Sequence, residues 1–295
     1  MATIVGGIGT SHVPAIGAAI AKGQQQEPYW KPFFDGYIPA REWLSEVRPD
    51  VVVMFYNDHG LNFFLDKMPT FAVGAAAEYR NADEGWGLPV QRPFAGDPAL
   101  SWHVIERLVA DEFDITTCQE MRVDHAFVVP TQLLWPDGGC KVPIVPIAIN
   151  TVQHPLPSPM RCYKFGQAVG RAIRSYDKDL KVLVLGTGGL SHQLEGERAG
   201  FINKSFDLMC LDRLANAPEV LTSYSSLDII EMAGSQGVEL LMWIAMRAAL
   251  GEDVTEIHRN YHIPISNTAA GLLVLECGSQ SANGGRLRMA WPTRA

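Results

Sequence analysis

Three histidines, His12, His59 and His192, each follow an apolar run that reads as a strand: TIVGGIGTS, VVVMFYND and VLVLGTGGLS. Ligands of open α/β sheets bind in the crevice beyond the carboxyl ends of the strands. If these strands are neighbours, the three imidazoles meet there. Glu239 adds a carboxylate from GSQGVELLMWIAMRAALG, among Val238, Leu240, Leu241 and Trp243. A carboxylate in such apolar company needs a partner or a metal. Two histidines and one carboxylate make the facial triad of non-haem iron oxygenases, which leaves one side of the metal open. The set His12, His59 and Glu239 can therefore seat a metal with room for two oxygens of a diol and for dioxygen. Zinc hydrolases use the same ligand types, so ligand types alone leave the metal open.

His192 suits proton transfer better than ligation, because imidazole titrates near neutrality. The glycines before it, Gly186, Gly188 and Gly189, allow a tight turn beside a ligand. They match no phosphate-binding pattern. His125 in RVDHAFVVP is a further polar candidate, and a structural role beside a helix or strand start fits it equally. Asp124 is poorly placed to orient the ring of its own neighbour, so no dyad is assigned. Ser266 and Asn267 in YHIPISNTAAG read as cap or turn residues.

The elements that must carry these residues form an alternating pattern. Strands are expected over 3–8, 51–56, 71–74, 142–149, 182–185 and 272–276. Helices are expected over 99–110, 165–175, 203–215 and 237–249. The strands are rich in Val and Ile without strict alternation, which means a sheet covered on both faces. The expected fold is an α/β three-layer sandwich, with a central, largely parallel or mixed sheet flanked by helices and the active site at the carboxyl ends of the strands. One catalytic domain over 1–295 is the preferred division, with the Pro- and Gly-rich stretches 85–98 and 154–161 as loops inside it.

Bulk properties narrow the function. A net charge of −8 argues against nucleic acid and against an anionic membrane surface. No apolar run is long enough to span a bilayer. The five cysteines form no CxxC pair, so neither a disulfide framework nor a cysteine-rich zinc site is expected, and a reducing cytoplasm is the natural location.

Seven segments, in this order, resemble the type II (class III) extradiol ring-cleavage dioxygenases, in the form of the catalytic beta subunit of protocatechuate 4,5-dioxygenase. They are GIGTSHVPAIGAAI, YNDHG, ADEGWG, DEFDITTCQEMRVDHAFVVP, GTGGLSHQLEGERAGFINKSFDL, GSQGVELLMW and YHIPISNTAAG, and they cover nearly the whole chain. The resemblance implies Fe(II) held by His12, His59 and Glu239, with His192 as the acid/base residue and His125 near the substrate. It also implies that Ser266 and Asn267 lie close to a substrate carboxylate, against the cap reading. The implied reaction is cleavage of protocatechuate at the 4,5-position by dioxygen, without an organic cofactor. Gallate, methylgallate, another catechol or an aminophenol are alternatives within the same chemistry. A divalent-metal hydrolase and a non-enzymatic binding module are more distant ones. Retention of all four metal-site and acid/base residues argues against the last. Gallate-type relatives carry a further C-terminal domain, whereas this sequence closes at GGRLRMAWPTRA. The expectation is therefore a small alpha subunit that closes the active site, in a dimer of heterodimers.

Overall fold

The computed structural model describes residues 1–278. The closing segment GGRLRMAWPTRA, which bears on the expectation of a separate partner chain, lies outside the described residues. Eleven strands follow in chain order: β1 (Thr3–Thr10), β2 (Val51–Tyr56), β3 (Phe71–Gly74), β4 (Glu78–Asn81), β5 (Phe94–Ala95), β6 (Thr116–Cys118), β7 (Arg122–Val123), β8 (Ile144–Ile149), β9 (Lys181–Thr187), β10 (Val254–Ile265) and β11 (Thr268–Cys277). Eight of them form one sheet in the order β10-β11-β1-β9-β2-β8-β3-β6. The centre, β1-β9-β2-β8, is parallel. The antiparallel β10–β11 hairpin closes one side, and β3 runs antiparallel to β8 on the other. The sheet is thus mixed.

Strand β2 explains why both faces are covered. Its six residues are all buried. Val51, Val53 and Phe55 enter one core, and Val52, Met54 and Tyr56 enter the other. Side chains alternate across a strand, so an unbroken apolar run must bury both faces. The first core is completed by α4 (Pro98–Ala110), α6 (Pro159–Arg174), α7 (Lys204–Asn216), α8 (Ser226–Ala233) and α9 (Leu240–Leu250). The second is completed by α1 (Pro14–Ala21), α2 (Lys31–Asp35), α3 (Ile38–Val47) and α5 (His125–Leu134).

Helix α9 is buried along its whole length, as an all-round apolar helix must be. Its last carbonyls would be orphaned there. Arg174 donates to the Ala249 and Leu250 carbonyls, and buried Arg247 donates to the Leu214 and Gly251 carbonyls. These contacts fix the helix axially, and with it the Glu239 that precedes its first turn. The expected helix over 237–249 in fact opens with a 3₁₀ turn, Gly237–Glu239. Helix α6 starts at Pro159, six residues before the expected 165. Ser158 accepts the Arg161 N–H as its cap, a local signal that apolar periodicity does not carry. Asn203 is likewise a cap, accepting the Phe206 N–H, and not a helical residue.

Close packing of β1 on α9 requires Gly9. A Cβ there would overlap the buried Trp243 ring, whose Nε1 donates to the Gly188 carbonyl at 2.9 Å. Gly9→Ala is expected to cost about 1–3 kcal/mol of stability through overpacking. Urea unfolding would measure it, and an unchanged midpoint would show that Trp243 can yield.

Candidate metal and acid/base site

The parallel order β1-β9-β2 puts three strand ends side by side, and His12, the 188–192 segment and His59 continue from them. Glu239 reaches the same place from the turn before α9. Its carboxylate sits between two imidazoles: Oε2 lies 3.3 Å from His12 Nε2 and Oε1 lies 3.4 Å from His59 Nε2. Both His12 and Glu239 are buried, while the His59 side chain is 28% exposed. The Gly189 N–H donates to Oε2 at 2.8 Å, and the Asn57 amide donates to Oε1 at 3.1 Å. Gly188 permits this approach, because a Cβ there would stand 2.6 Å from the Glu239 Cβ.

The far nitrogen of each histidine is engaged by another side chain. His12 Nδ1 lies 3.2 Å from the Thr187 hydroxyl. His59 Nδ1 donates to Asp124 Oδ2 at 3.0 Å, and the His59 backbone N–H donates to the same oxygen at 2.8 Å. Holding Nδ1 in this way aims Nε2 at the shared centre and sets the tautomer, as is usual for metal-binding histidines. The donor set thus fits a divalent metal: two imidazole nitrogens and one carboxylate, each oriented from behind. The buried Asn57 carbonyl beside them has no hydrogen-bond partner.

Electrostatics follow from this crowding. Burial opposes ionisation of Glu239, but His12 and His59 hold it well below the usual carboxylate range. Burial lowers His12. Burial also acts to lower His59, but Asp124 and Glu239 outweigh it and hold this imidazole at about 10. Asp124 is drawn down to about 2, its burial being overcome by His59. At neutral pH His59 therefore carries a proton that a metal must displace. Divalent metal uptake near pH 7 is expected to release about one proton, and affinity should rise with pH toward 10. Calorimetry in two buffers of different ionisation enthalpy would read the release, and zero release would refute the charged state of His59.

His192 lies on the same cavity wall without a side-chain hydrogen bond among the described residues. Its backbone is held instead: N–H to the Ala233 carbonyl at 2.7 Å, carbonyl from the Gln236 N–H at 3.1 Å, and a bridge to Thr268. Burial lowers its imidazole, which favours the neutral form. The preceding Ser191 is fastened by Asp207 from α7, which accepts both its N–H and its hydroxyl, and Tyr261 donates to the other oxygen of Asp207.

His125 opens α5, and its ring lies 4.2 Å from that of His59. Asp124 does not pair with the ring of its neighbour. Its Oδ2 serves His59 and its Oδ1 caps α5 at Ala126. The partner of His125 is Glu84, from the β4–β5 connection. Sequence reasoning assigned no role to Glu84, Asp124, Asn57 or Thr187, since each acts through a contact invisible at the level of spacing. Ser266 and Asn267 form the exposed two-residue turn of the β10–β11 hairpin. Ser266 lines the cavity, whereas Asn267 faces the turn at Gly200.

These residues border a cavity of ≈ 920 Å³. Val152, Leu156, Leu194 and Ile230 supply apolar walls, and His154, to which the sequence assigned nothing, also lines it. Among the described residues the lining holds no lysine or arginine. No helix among them is long and apolar enough to cross a membrane.

Comparison with known proteins places the chain among ring-opening dioxygenases. Gallate dioxygenase of Pseudomonas putida is 41% identical over 201 residues, 68% of this chain and 59% of that protein. The 2,3-dihydroxyphenylpropionate/2,3-dihydroxicinnamic acid 1,2-dioxygenase of Rhodococcus jostii is 31% identical over 255 residues, 72% of this chain and 79% of its own length. The fold is that of an uncharacterised Escherichia coli K12 protein of known crystal structure, with a TM-score of 0.58 at 14% identity over 93% of this chain and all of that one. The profile described as the catalytic LigB subunit of aromatic ring-opening dioxygenase matches residues 6–271, and the chain belongs to this family.

Proposed function

We infer that the protein is a non-haem iron(II) extradiol dioxygenase that opens the ring of a hydroxylated benzoate, with gallate ahead of protocatechuate. The observation that carries this reading is the convergence of His12, His59 and Glu239 on one open-sided centre beside His192. The sequence favoured protocatechuate. The 41% identity to gallate dioxygenase moves the trihydroxylated ring ahead. The chain spans 59% of that relative's length, so its whole activity is carried here as a proposal.

Bound iron supplies ligation of the diol and activation of dioxygen. The chain supplies the rest. His12, His59 and Glu239 would hold the metal from one side. His192, neutral through burial, takes a proton from the incoming diol and can return it to an oxygen of the opening ring. The apolar walls, once covered at the mouth, would exclude water from the reacting centre. Among the described residues the lining holds no lysine or arginine, which supports neutral donors, Ser266 with Asn267 beside it, as the contact for a substrate carboxylate. Exposed Trp86, Val152 and Leu194 at the mouth suit cover by a small alpha subunit, in a dimer of such pairs. The five thiols, none paired, suit a cytoplasmic location.

The test is oxygen uptake with gallate, protocatechuate and dihydroxyphenylpropionate, after anaerobic loading with iron(II), with and without a candidate small subunit. Gallate should turn over fastest. A faster protocatechuate rate would restore the sequence-based substrate, and no uptake with any diol would sink the dioxygenase reading.

A further inference from the structure

His125 is held by a carboxylate that comes from 41 residues away. One oxygen of Glu84 accepts the His125 backbone N–H at 2.6 Å, and the other lies 2.8 Å from Nδ1. The pair is nearly closed to solvent, with side chains 14% and 8% exposed. His125 is the first residue of α5, where a backbone N–H lacks an intrahelical partner and negative charge is favoured. Glu84 therefore locks the ring and the peptide that carries it in one grip. Nε2 is the ring nitrogen left without a hydrogen-bond partner among the described residues, and the residue lines the cavity.

His12, His59 and His125 each offer a nitrogen within 4.8 Å of the others. Glu239 separates them. Its carboxylate lies against the Nε2 atoms of His12 and His59, whereas His125 is paired with Glu84. The His125 ring lies 4.2 Å from that of His59, with the planes 31° apart. His125 thus stands beside the metal position, facing the space an incoming hydroxyl would fill.

We propose that Glu84 is the positioning residue for His125. It fixes the proton on Nδ1 and holds the ring against that of His59, so that Nε2 presents a lone pair to a hydroxyl of the bound diol. This rests on reading the cavity as a diol site. It also ties the 82–92 connection, with Trp86 on the cavity wall, to the orientation of a group at the reacting centre.

Glu84→Gln tests it. The amide can still accept the backbone N–H, but its NH₂ then faces Nδ1 and reverses the tautomer. With the best diol of the panel, kcat should fall about 10–100-fold, in the range for residues that orient active groups. KM should change less than about threefold, because ring orientation acts on the bound diol. Iron content and Tm should match the unmodified protein, and Glu84→Asp should recover part of kcat. The independent readout is ¹⁵N NMR of the diamagnetic zinc-loaded protein. His125 should be protonated on Nδ1, and on Nε2 in Glu84→Gln. An Nε2-protonated ring in the unmodified protein, an unchanged kcat in Glu84→Gln, or a loss of bound iron in that variant each overturns the assignment. If no diol is turned over by any form, the ring-cleavage reading fails, and the NMR tautomer still decides what Glu84 does.

Discussion

Glu239→Ala is expected to strip the protein of its metal and to lower kcat by more than about a hundredfold, beyond the range for residues that only orient a ligand. Glu239 touches both Nε2 atoms, so its removal leaves two imidazoles with nothing between them. The same change strands the Gly189 N–H and the Asn57 amide, which donate to this carboxylate in the buried site. An unpaired buried donor costs about 1–3 kcal/mol, so Glu239→Ala should also unfold earlier. Glu239→Gln narrows the second effect. It keeps the volume of the side chain and one of its two acceptors while removing the charge. Metal analysis of both variants beside their thermal midpoints is the measurement. Stoichiometric iron in Glu239→Gln, with normal turnover, would mean that the ligand set is wrong.

The second large effect is expected at Asp124. One oxygen accepts two N–H groups of His59 and the other caps α5. Asparagine offers one oxygen for both tasks, so one of them must face an NH₂ group. Asp124→Asn should weaken metal binding about 10–100-fold by freeing the His59 ring. Asp124→Ala should lose about 1 kcal/mol more through the missing helix cap. Chelator competition reads the first quantity and denaturant unfolding the second. Unchanged metal affinity in Asp124→Asn would reduce the residue to a cap.

Much of this was legible in the residues, and the reasons are specific. The bounds of β2 were readable because all six side chains are apolar and flanked by polar residues. The three strand-end histidines were readable because each directly follows an apolar run, in β1, β9 and β2. Strand β10 was not read, because its residues are mostly exposed or half-buried and so lack a core signal. Helix α5 was not read because Pro130 lies inside it, where proline normally ends a helix. The partners of the histidines escaped for another reason. Asp124 reaches His59 across 65 residues and Glu84 reaches His125 across 41, distances at which spacing says nothing. The sequence reading does not pair Asp124 with its neighbour His125, and the structure agrees, since Asp124 serves His59.

The ends of the central strands carry the candidate ligands, while much of the remaining cavity wall hangs on three connections: 82–92 with Trp86, 150–158 with Val152 and Leu156, and 188–203 with Leu194. On the proposed function, the chemistry and the choice of ring therefore rest on separate parts of the chain. A change at Trp86, Val152 or Leu194 reshapes the space for a ring substituent without touching a strand or a ligand, and loops tolerate such change far better than cores do. Relatives are named for gallate and for dihydroxyphenylpropionate, a triol and a diol with different side arms. Directed evolution toward a new aromatic pollutant belongs in those three connections, with the sheet left as it is.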